Sequence, residues 1–484
     1  MPKLGAVDTT FLYMETTRTP MHIGVLLTFH LPHDAPAGFP RELLAKMRRK
    51  VLLPPPMDCA IVGPSLRHPV PVWVPVHYDP EYHVRHSALP QPGSERELGE
   101  LVARLHSYPL DLRHPPWECH LIEGLEGHRF AIYFKVHHSA ADGMAMLKLL
   151  HRWLSADPHD PRDPFADLST PPADAHAARV LNTRERWAVQ REKARKQLRA
   201  VPLLAKALWE MSKGGRGSGM RAPFETPRSI LNVPISQHRR LGTQVLSLAR
   251  VKAVARATDC SINDVVIALC GGALRRYLIE HKALPRHTLL ASVPVGLARA
   301  EGTTGNVVAG FVCPLGTRTA DPAQRLREVH RVTALSKTEI NTLTPAAATQ
   351  LTLMGLSPLI LGQITGTLPK LPLLFNVTIS NLVVSKVPLY LFGAELEAMY
   401  PMSILFDGYA LNITLVGYAD SIAVGFTGCR DALPHLQRLA VYLGEALPEL
   451  ESALGIGHRA RRRKTPTAHG GPRKPTTRAK ATPR

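Results

Sequence analysis

The chain has 484 residues, 45% hydrophobic and 20% charged, which is ordinary for a soluble globular protein and enough to bury the cores of two or three domains. Its net charge of +20 is unevenly placed: ten Lys/Arg and no acidic residue follow Gly457, so half of the excess lies there and the rest of the chain is only moderately basic. Cys59, Cys119, Cys260, Cys270, Cys313 and Cys429 are scattered through apolar contexts without CxxC spacing, the pattern of reduced, buried thiols rather than of a disulfide framework. The first residues, MPKLGAVDTTFLYMETT, contain no apolar h-region, so secretion is not expected.

In chain order, residues 24–29 read as a strand, 40–51 as a basic amphipathic helix and 70–76 as an extended segment punctuated by prolines. Residues 95–106 place Leu98, Leu101, Val102 and Leu105 on one helical face. Helix and strand therefore interleave, as in an α/β layer fold. Pro115-Pro116-Trp117 leads into a strand at 119–124, and a turn at Glu126-Gly127 returns the chain through a second strand, 130–136. Trp117 reads as a core aromatic beneath a turn. Gly143 marks a sharp turn, after which Met144, Leu147, Leu150 and Leu154 recur at helical spacing.

His137, His138 and Asp142 fall on the short loop between that strand and that helix, where rigid flanks hold reactive side chains open to substrate. The chemistry that suits them is general base catalysis. An imidazole with a pKa near 6.5 is largely neutral at pH 7 and can take a proton from an attacking hydroxyl or thiol. Asp142 can bond the imidazole or tie the loop to an arginine, and the sequence leaves both open. Two adjacent histidines among 23 are also compatible with a chance pair. A metal site is not expected, since it needs three or four ligands and none lies at ligand spacing nearby.

Residues 155–172 turn rich in proline and aspartate, the composition of a linker or surface crossover. Residues 180–211 read as a basic amphipathic helix, with Trp187, Leu198 and Leu204 opposite Arg184, Arg191 and Arg199; such a helix docks on anionic lipid or serves as a solvated crossover. Glycines at 214–219 break the chain. A second α/β region follows, with helices at 251–257 and 261–280 and strands at 289–295, 307–314, 376–380, 411–418 and 422–427. Residues 341–369 carry no charge over more than the ~20 residues of a membrane span. Pro345, Pro358, Gln350 and Gln363 nonetheless favour a buried or membrane-touching helix pair. Residues 458–484 read as a disordered basic tail; no nucleic-acid-binding signature accompanies it, and no nucleic-acid partner is expected.

His137-His138-Ser139-Ala140-Ala141-Asp142-Gly143 matches the HHxxxDG signature of the CoA-dependent acyltransferase superfamily, which includes chloramphenicol acetyltransferases and peptide-synthetase condensation domains. The rest of the chain resembles one branch, the bacterial bifunctional wax ester synthase/acyl-CoA:diacylglycerol acyltransferases (WS/DGAT). The resemblance runs through Thr19-Pro20-Met21-His22-Ile23-Gly24, His83-Val84-Arg85-His86 with Ala88-Leu89-Pro90, and Pro109-Leu110-Asp111 with Pro116-Trp117-Glu118. It continues through Ser229-Ile230-Leu231-Asn232, Ile262-Asn263-Asp264-Val265-Val266, and Leu405-Phe406-Asp407-Gly408 with Leu411-Asn412-Ile413-Thr414. Together these pieces span roughly residues 5–445.

The resemblance implies an α/β fold of two chloramphenicol-acetyltransferase-like domains, mixed sheets flanked by helices, with the active site in a tunnel between them. The corresponding divisions are 1–157 (with HHxxxDG), a linker and crossover helix at 158–222, a second acyltransferase-like domain at 223–457, and the tail. It implies transfer of a long-chain acyl group from acyl-CoA to a fatty alcohol or diacylglycerol, with His138 as general base, His137 orienting the loop, Asp142 holding it by a salt bridge, and no cofactor. No GxSxG elbow is present, in keeping with direct transfer and no acyl-enzyme. Asn263 is a candidate oxyanion donor or loop organiser, or else part of a helix cap with Ser261, while Asp264 is expected to be structural. Leu351, Met354, Leu356, Leu359, Ile360, Met402, Ile404 and Leu405 are candidate tunnel walls, each also readable as ordinary core. The implied setting is cytoplasmic, peripheral to the inner membrane or lipid inclusions. Rival readings are an acyltransferase of the same superfamily acting on an amine or a carrier-bound thioester, and a non-catalytic lipid-droplet coat protein. One departure stands out: relatives carry an Asn-Val-Pro-Gly-Pro turn where this chain has Asn381-Leu382-Val383-Val384-Ser385.

Overall fold

The computed structural model describes residues 4, 6–32, 34–36, 38–49, 56–63, 71–77, 79–165, 226–296, 308–341 and 345–456. The crossover helix read at 180–211, the glycine break and the tail lie outside the described residues. The first half contains α1 (Ala6–Met14), β1 (His22–His30), α2 (Phe39–Met47), β2 (Cys59–Val62), β3 (Val72–Pro75), α3 (Pro80–His83) and β4 (Val84–Ala88). These are followed by α4 (Glu95–Ser107), β5 (Trp117–Leu125), β6 (Arg129–His137) and α5 (Gly143–Trp153). The second half contains β7 (Arg239–Ser247), α6 (Leu248–Ala257), α7 (Ile262–Glu280), β8 (Leu290–Gly296), β9 (Val308–Pro314), α8 (Pro322–Asn341) and α9 (Pro345–Ile364). A 3-10 turn (Leu368–Lys370), β10 (Val377–Ser385), β11 (Tyr390–Leu391), β12 (Ala394–Met402), β13 (Leu411–Tyr418), β14 (Ser421–Cys429) and α10 (Gln437–Ala453) complete it.

Two six-stranded mixed sheets organise the molecule, ordered β11-β12-β1-β6-β5-β4 and β7-β14-β13-β10-β8-β9, with β2-β3 as a separate pair. In the first sheet the alternation of side chains sorts two faces. Val25, Leu27 and Phe29 join Ile132, Phe134 and Val136 under α2 and α5, where Leu43, Met146, Leu150 and Trp153 close the core. The opposite face carries Leu26, Ala131 and Tyr133 against Leu98 and Val102 of α4. That helix begins in a capping box, Ser94 accepting from the first turn while the Glu97 carboxylate accepts the Ser94 amide at 2.9 Å. The second sheet is covered by α6, α7, α8 and α10, whose Val254, Leu269, Val329 and Leu443 are fully buried.

The first sheet is not built from the first half alone. Strand β12 pairs antiparallel with β1 from Gly24↔Met402 to His30↔Glu395, so a piece of the second half completes the sheet that bears the histidines. A boundary drawn at residue 223 therefore divides the chain but not the sheet. The two sheets abut at this exchange: a Cβ on Gly425 of β14 would lie 1.9 Å from the Pro401 carbonyl oxygen of β12.

Three expectations are corrected. The helix read to residue 51 ends at Met47. The strand read as 376–380 runs on to Ser385, because 381–385 holds no proline or glycine to break it and continues to pair in parallel with β13, Asn381↔Leu415 to Ser385↔Tyr418, through a bulge. Gly143, read as a sharp turn, is the first residue of a helix; what its missing side chain supplies is room, since a Cβ there would meet Leu382 Cδ1 at 3.3 Å. The uncharged run forms α9 and the short 3-10 turn, and among the described residues no single helix is long and apolar enough to cross a membrane.

Candidate active site

The His-Asp loop is pinned by backbone bonds before any side chain contributes. The His137 amide donates to the Pro116 carbonyl at 2.8 Å, the His138 amide to the Met21 carbonyl at 2.8 Å, and the Ala140 amide to the His137 carbonyl at 2.9 Å. The loop is thus tied to the segments that lead into β5 and β1. At its far end Asp142, extended at φ −90° and ψ 179°, caps α5: its Oδ1 accepts the Ala145 amide at 2.6 Å. Gly143 beside it faces Leu382 of β10, which places the loop where the two halves of the molecule meet.

The two histidines have different surroundings. His137 is fully buried, its Nδ1 2.7 Å from the Ser139 hydroxyl and accepting the Ser139 amide at 3.2 Å, which locks the loop's first turn. Its Nε2 lies 3.6 Å from Glu15 Oε2, and the other Glu15 oxygen accepts the Met21 amide at 3.1 Å. His138 instead lies flat on Phe11 of α1, ring centroids 4.1 Å apart and planes 22° apart. Burial pushes the His138 imidazole down to about 4, with the neighbouring Asp142 charge opposing that fall and His137 adding to it. At neutral pH this ring is an uncharged base. Its Nδ1 has no hydrogen-bond partner among the described residues.

The profile of the wax ester synthase/diacylglycerol acyltransferase catalytic domain matches residues 4–266, and that of the family's C-terminal domain matches residues 304–451. The chain belongs to the WS/DGAT family. It is 48% identical over 458 residues to a putative diacylglycerol O-acyltransferase of Mycobacterium tuberculosis strain H37Rv, covering 94% of this chain and 99% of that one. A second such protein of the same strain is 40% identical over 94% of this chain and 98% of its own. The solved wax ester synthase/diacylglycerol acyltransferase from Marinobacter aquaeolei VT8 is 36% identical, with a TM-score of 0.75 over 94% of this chain and all of that one. The first condensation domain of the calcium-dependent antibiotic synthetase shares the fold at 18% identity, with a TM-score of 0.56 over 93% of this chain and 96% of that one. The protein is accordingly an acyltransferase with the WS/DGAT architecture.

Several residues of the WS/DGAT motifs have structural work. Trp117 is buried, stacks on His83 at 4.5 Å and donates its indole N–H to the Met57 carbonyl at 2.9 Å. Ser261 caps α7 with Asp264 as its reciprocal partner, the Ser261 amide donating to Asp264 Oδ2 at 2.9 Å. Asp264 also accepts from Thr333 Oγ1 at 2.7 Å and contacts His330 Nδ1 at 2.9 Å, which joins α7 to α8. Asn263 takes no part in that capping box and stands half-buried in the helix's first turn. Asn232 and Asn376 form a buried pair, Asn376 Nδ2 donating to Asn232 Oδ1 at 2.7 Å, while Asp407 accepts the Ile235 amide at 3.0 Å and pairs with Arg18 at 3.1 Å.

The candidate wall residues disperse. Met402 packs in the α4-facing core with Leu26 and Tyr133, Leu405 in the core of the second half, and Leu356 and Leu359 in a satellite cluster with Phe375 and Tyr409. The side chains of Leu351 and Met354 lie outside the described residues. Phe11 and Glu15, which touch the histidines, were not singled out from the sequence. Their signal is faint: FLYME reads as one turn of an apolar helix with an acid at its end.

Proposed function

We propose that this WS/DGAT protein transfers a long-chain acyl group from acyl-CoA to a long-chain alcohol or to diacylglycerol, with His138 as the general base. The observation that carries the reading is the His138 ring, stacked on Phe11 and held on a loop pinned beside the starts of β1 and β5 where the two halves of the molecule meet. The acceptor hydroxyl gives its proton to the imidazole as its oxygen attacks the thioester carbonyl. Collapse of the tetrahedral species breaks the carbon–sulfur bond, and the departing CoA sulfur takes the proton back from the imidazolium. His137 and Ser139 hold the loop, Asp142 caps the helix that follows it, and Asn263 is our candidate donor to the oxyanion.

The setting we propose is the cytoplasmic face of a membrane or a lipid inclusion, where water-insoluble acceptors collect. Support for that comes from the basic composition of residues 458–484.

Purified protein incubated with palmitoyl-CoA and either hexadecanol or diacylglycerol should release free thiol and form ester in equal amounts. Thiol without ester, or neither, would sink the reading.

A further inference from the structure

The N-terminal helix α1 is fastened to the second half of the molecule. Gln363 of α9, buried, donates from Nε2 to the Met14 carbonyl at 3.2 Å and to Thr19 Oγ1 at 2.8 Å, while its Oε1 accepts the Asp407 amide at 3.0 Å. Arg18, just beyond the helix, pairs with Asp407 at 3.1 Å. One face of the Phe11 ring lies on the His138 imidazole, and the residue as a whole is only half-buried. The ring thus covers one face of the half-buried His138 imidazole, on a helix whose position is set from across the molecule.

We propose that Phe11 is a positioning residue: its stacked ring fixes the plane of the His138 imidazole and keeps water off it, so that the thioester is transferred to the lipid hydroxyl and not hydrolysed. The partition arm of this inference rests on the acyl transfer reading above; the stacking arm does not. Hydrolysis needs the same base and the same bonds. Water gives its proton to the imidazole, its oxygen bonds to the acyl carbon, the carbon–sulfur bond breaks, and the CoA sulfur takes the proton, leaving a fatty acid. The two reactions differ only in which hydroxyl reaches the ring, and an apolar plate over the ring's face decides between them by exclusion. The titratable groups that face His138 are Asp142, which favours the imidazolium, and His137, which opposes it, with Glu15 lying beyond His137. On the β10 side the apolar Leu382 lies against Gly143 of the same loop. Opening the Phe11 side therefore admits water to a ring whose neutrality depends mainly on burial.

The test compares wild type, Phe11→Ala and Phe11→Trp, each checked for folding by circular dichroism. One readout needs no substrate: the rate and pH dependence of diethyl pyrocarbonate modification at His138, resolved from His137 by fragment mass spectrometry. The other is the ratio of fatty acid to ester formed from palmitoyl-CoA and hexadecanol. Phe11→Ala should be modified at least about ten-fold faster, with the pH of half-maximal rate raised by about one unit, and its hydrolysis-to-transfer ratio should rise by about ten-fold. Phe11→Trp, which restores a flat aromatic plate, should return both towards wild type. Slower transfer by Phe11→Ala with unchanged modification and unchanged partition would overturn the proposal, as would a tryptophan variant no better than alanine. A wild type that makes no ester would overturn the acyl transfer reading instead, and the modification arm would still judge the stack.

Discussion

A base that rests on a phenyl ring titrates differently from one in water. Because burial holds His138 near 4, its neutral and active form persists well below the ordinary histidine range, and kcat/KM should stay flat from pH 8 to about 5.5 when measured by brief pH jumps. An acidic limb centred near 6.5 would show the ring to be solvated. His138→Ala should lower ester formation by about 10²- to 10⁴-fold while leaving the melting temperature nearly unchanged. Should His138→Ala keep more than about a tenth of the activity while His137→Ala does not, the roles within the pair are reversed. Asp142 separates by its cap: Asp142→Ala should cost about 1–2 kcal/mol in denaturant melts, whereas Asp142→Asn keeps the capping oxygen and should cost less. At this scale the histidine pair and its loop were legible, since a strand ending in His-His and a helix starting at Asp-Gly are local patterns. Phe11 was not, because its contact spans the sequence from residue 11 to residue 138 and leaves no periodic trace.

Among the elements, the α4-facing side of β1, β5 and β6 is unusual in what it buries. Lys135 pairs with Glu118 at 3.2 Å and donates to the Leu105 and Tyr108 carbonyls at 3.1 and 3.0 Å. His106 Nδ1 meets the Tyr133 hydroxyl at 2.7 Å, and His22 Nε2 lies 2.9 Å from the His106 carbonyl oxygen. Burial pushes His106 down to about 3 and lowers His22, His83 and His120 as well. The folded state therefore binds fewer protons than the unfolded chain below about pH 6.5, and stability must fall as pH drops from 6.5 toward those lowered values. Although burial raises the Glu118 carboxyl, His120, Lys135 and Arg85 hold it at about 2, so its own stabilisation is intact between pH 7.5 and 5 and is lost only as pH falls from about 4.5 toward 2. Melting at pH 5 should lie several degrees below melting at pH 7.5, and His106→Gln should flatten the difference; equal melting at the two pH values would contradict this. Gly24 belongs to the same face: a Cβ there would lie 2.9 Å from Tyr133 Cε2 and from its hydroxyl, which His106 holds in place. Gly24→Ala should destabilise the protein by about 1–3 kcal/mol in urea melts. Strands such as β6 were legible as apolar runs. Strand β12, AELEAMYPM, was not, because its acidic residues and Pro401 mimic a loop, and β7, RRLGTQVLS, is too polar to stand out.

For the molecule as a whole, alternation of helix and strand was enough to expect two α/β layers, but not that one half lends the other a strand, since no local pattern marks a long-range pairing. The basic residues after Gly457 lead to a prediction at this scale. Each Lys or Arg near an anionic bilayer is worth about 1 kcal/mol, so truncation after Gly457 should weaken sedimentation with anionic liposomes at low salt and leave turnover on detergent-dispersed alcohol nearly unchanged. Equal liposome binding by both forms would rule the tail out as an anchor.

The strand lent by the second half also sets a schedule. During synthesis β1 and β6 leave the ribosome early, yet one edge of β1 has no partner until residues 394–402 have followed, after most of the chain. Until then the nascent first half presents an open edge, the kind of surface to which a neighbouring polypeptide adds a strand. The Phe11 helix must likewise wait for Gln363 to fasten it. No early fragment can then work as an enzyme, and a ribosome that stalls before residue 394 would leave a sheet suited to aggregation and not to acyl transfer.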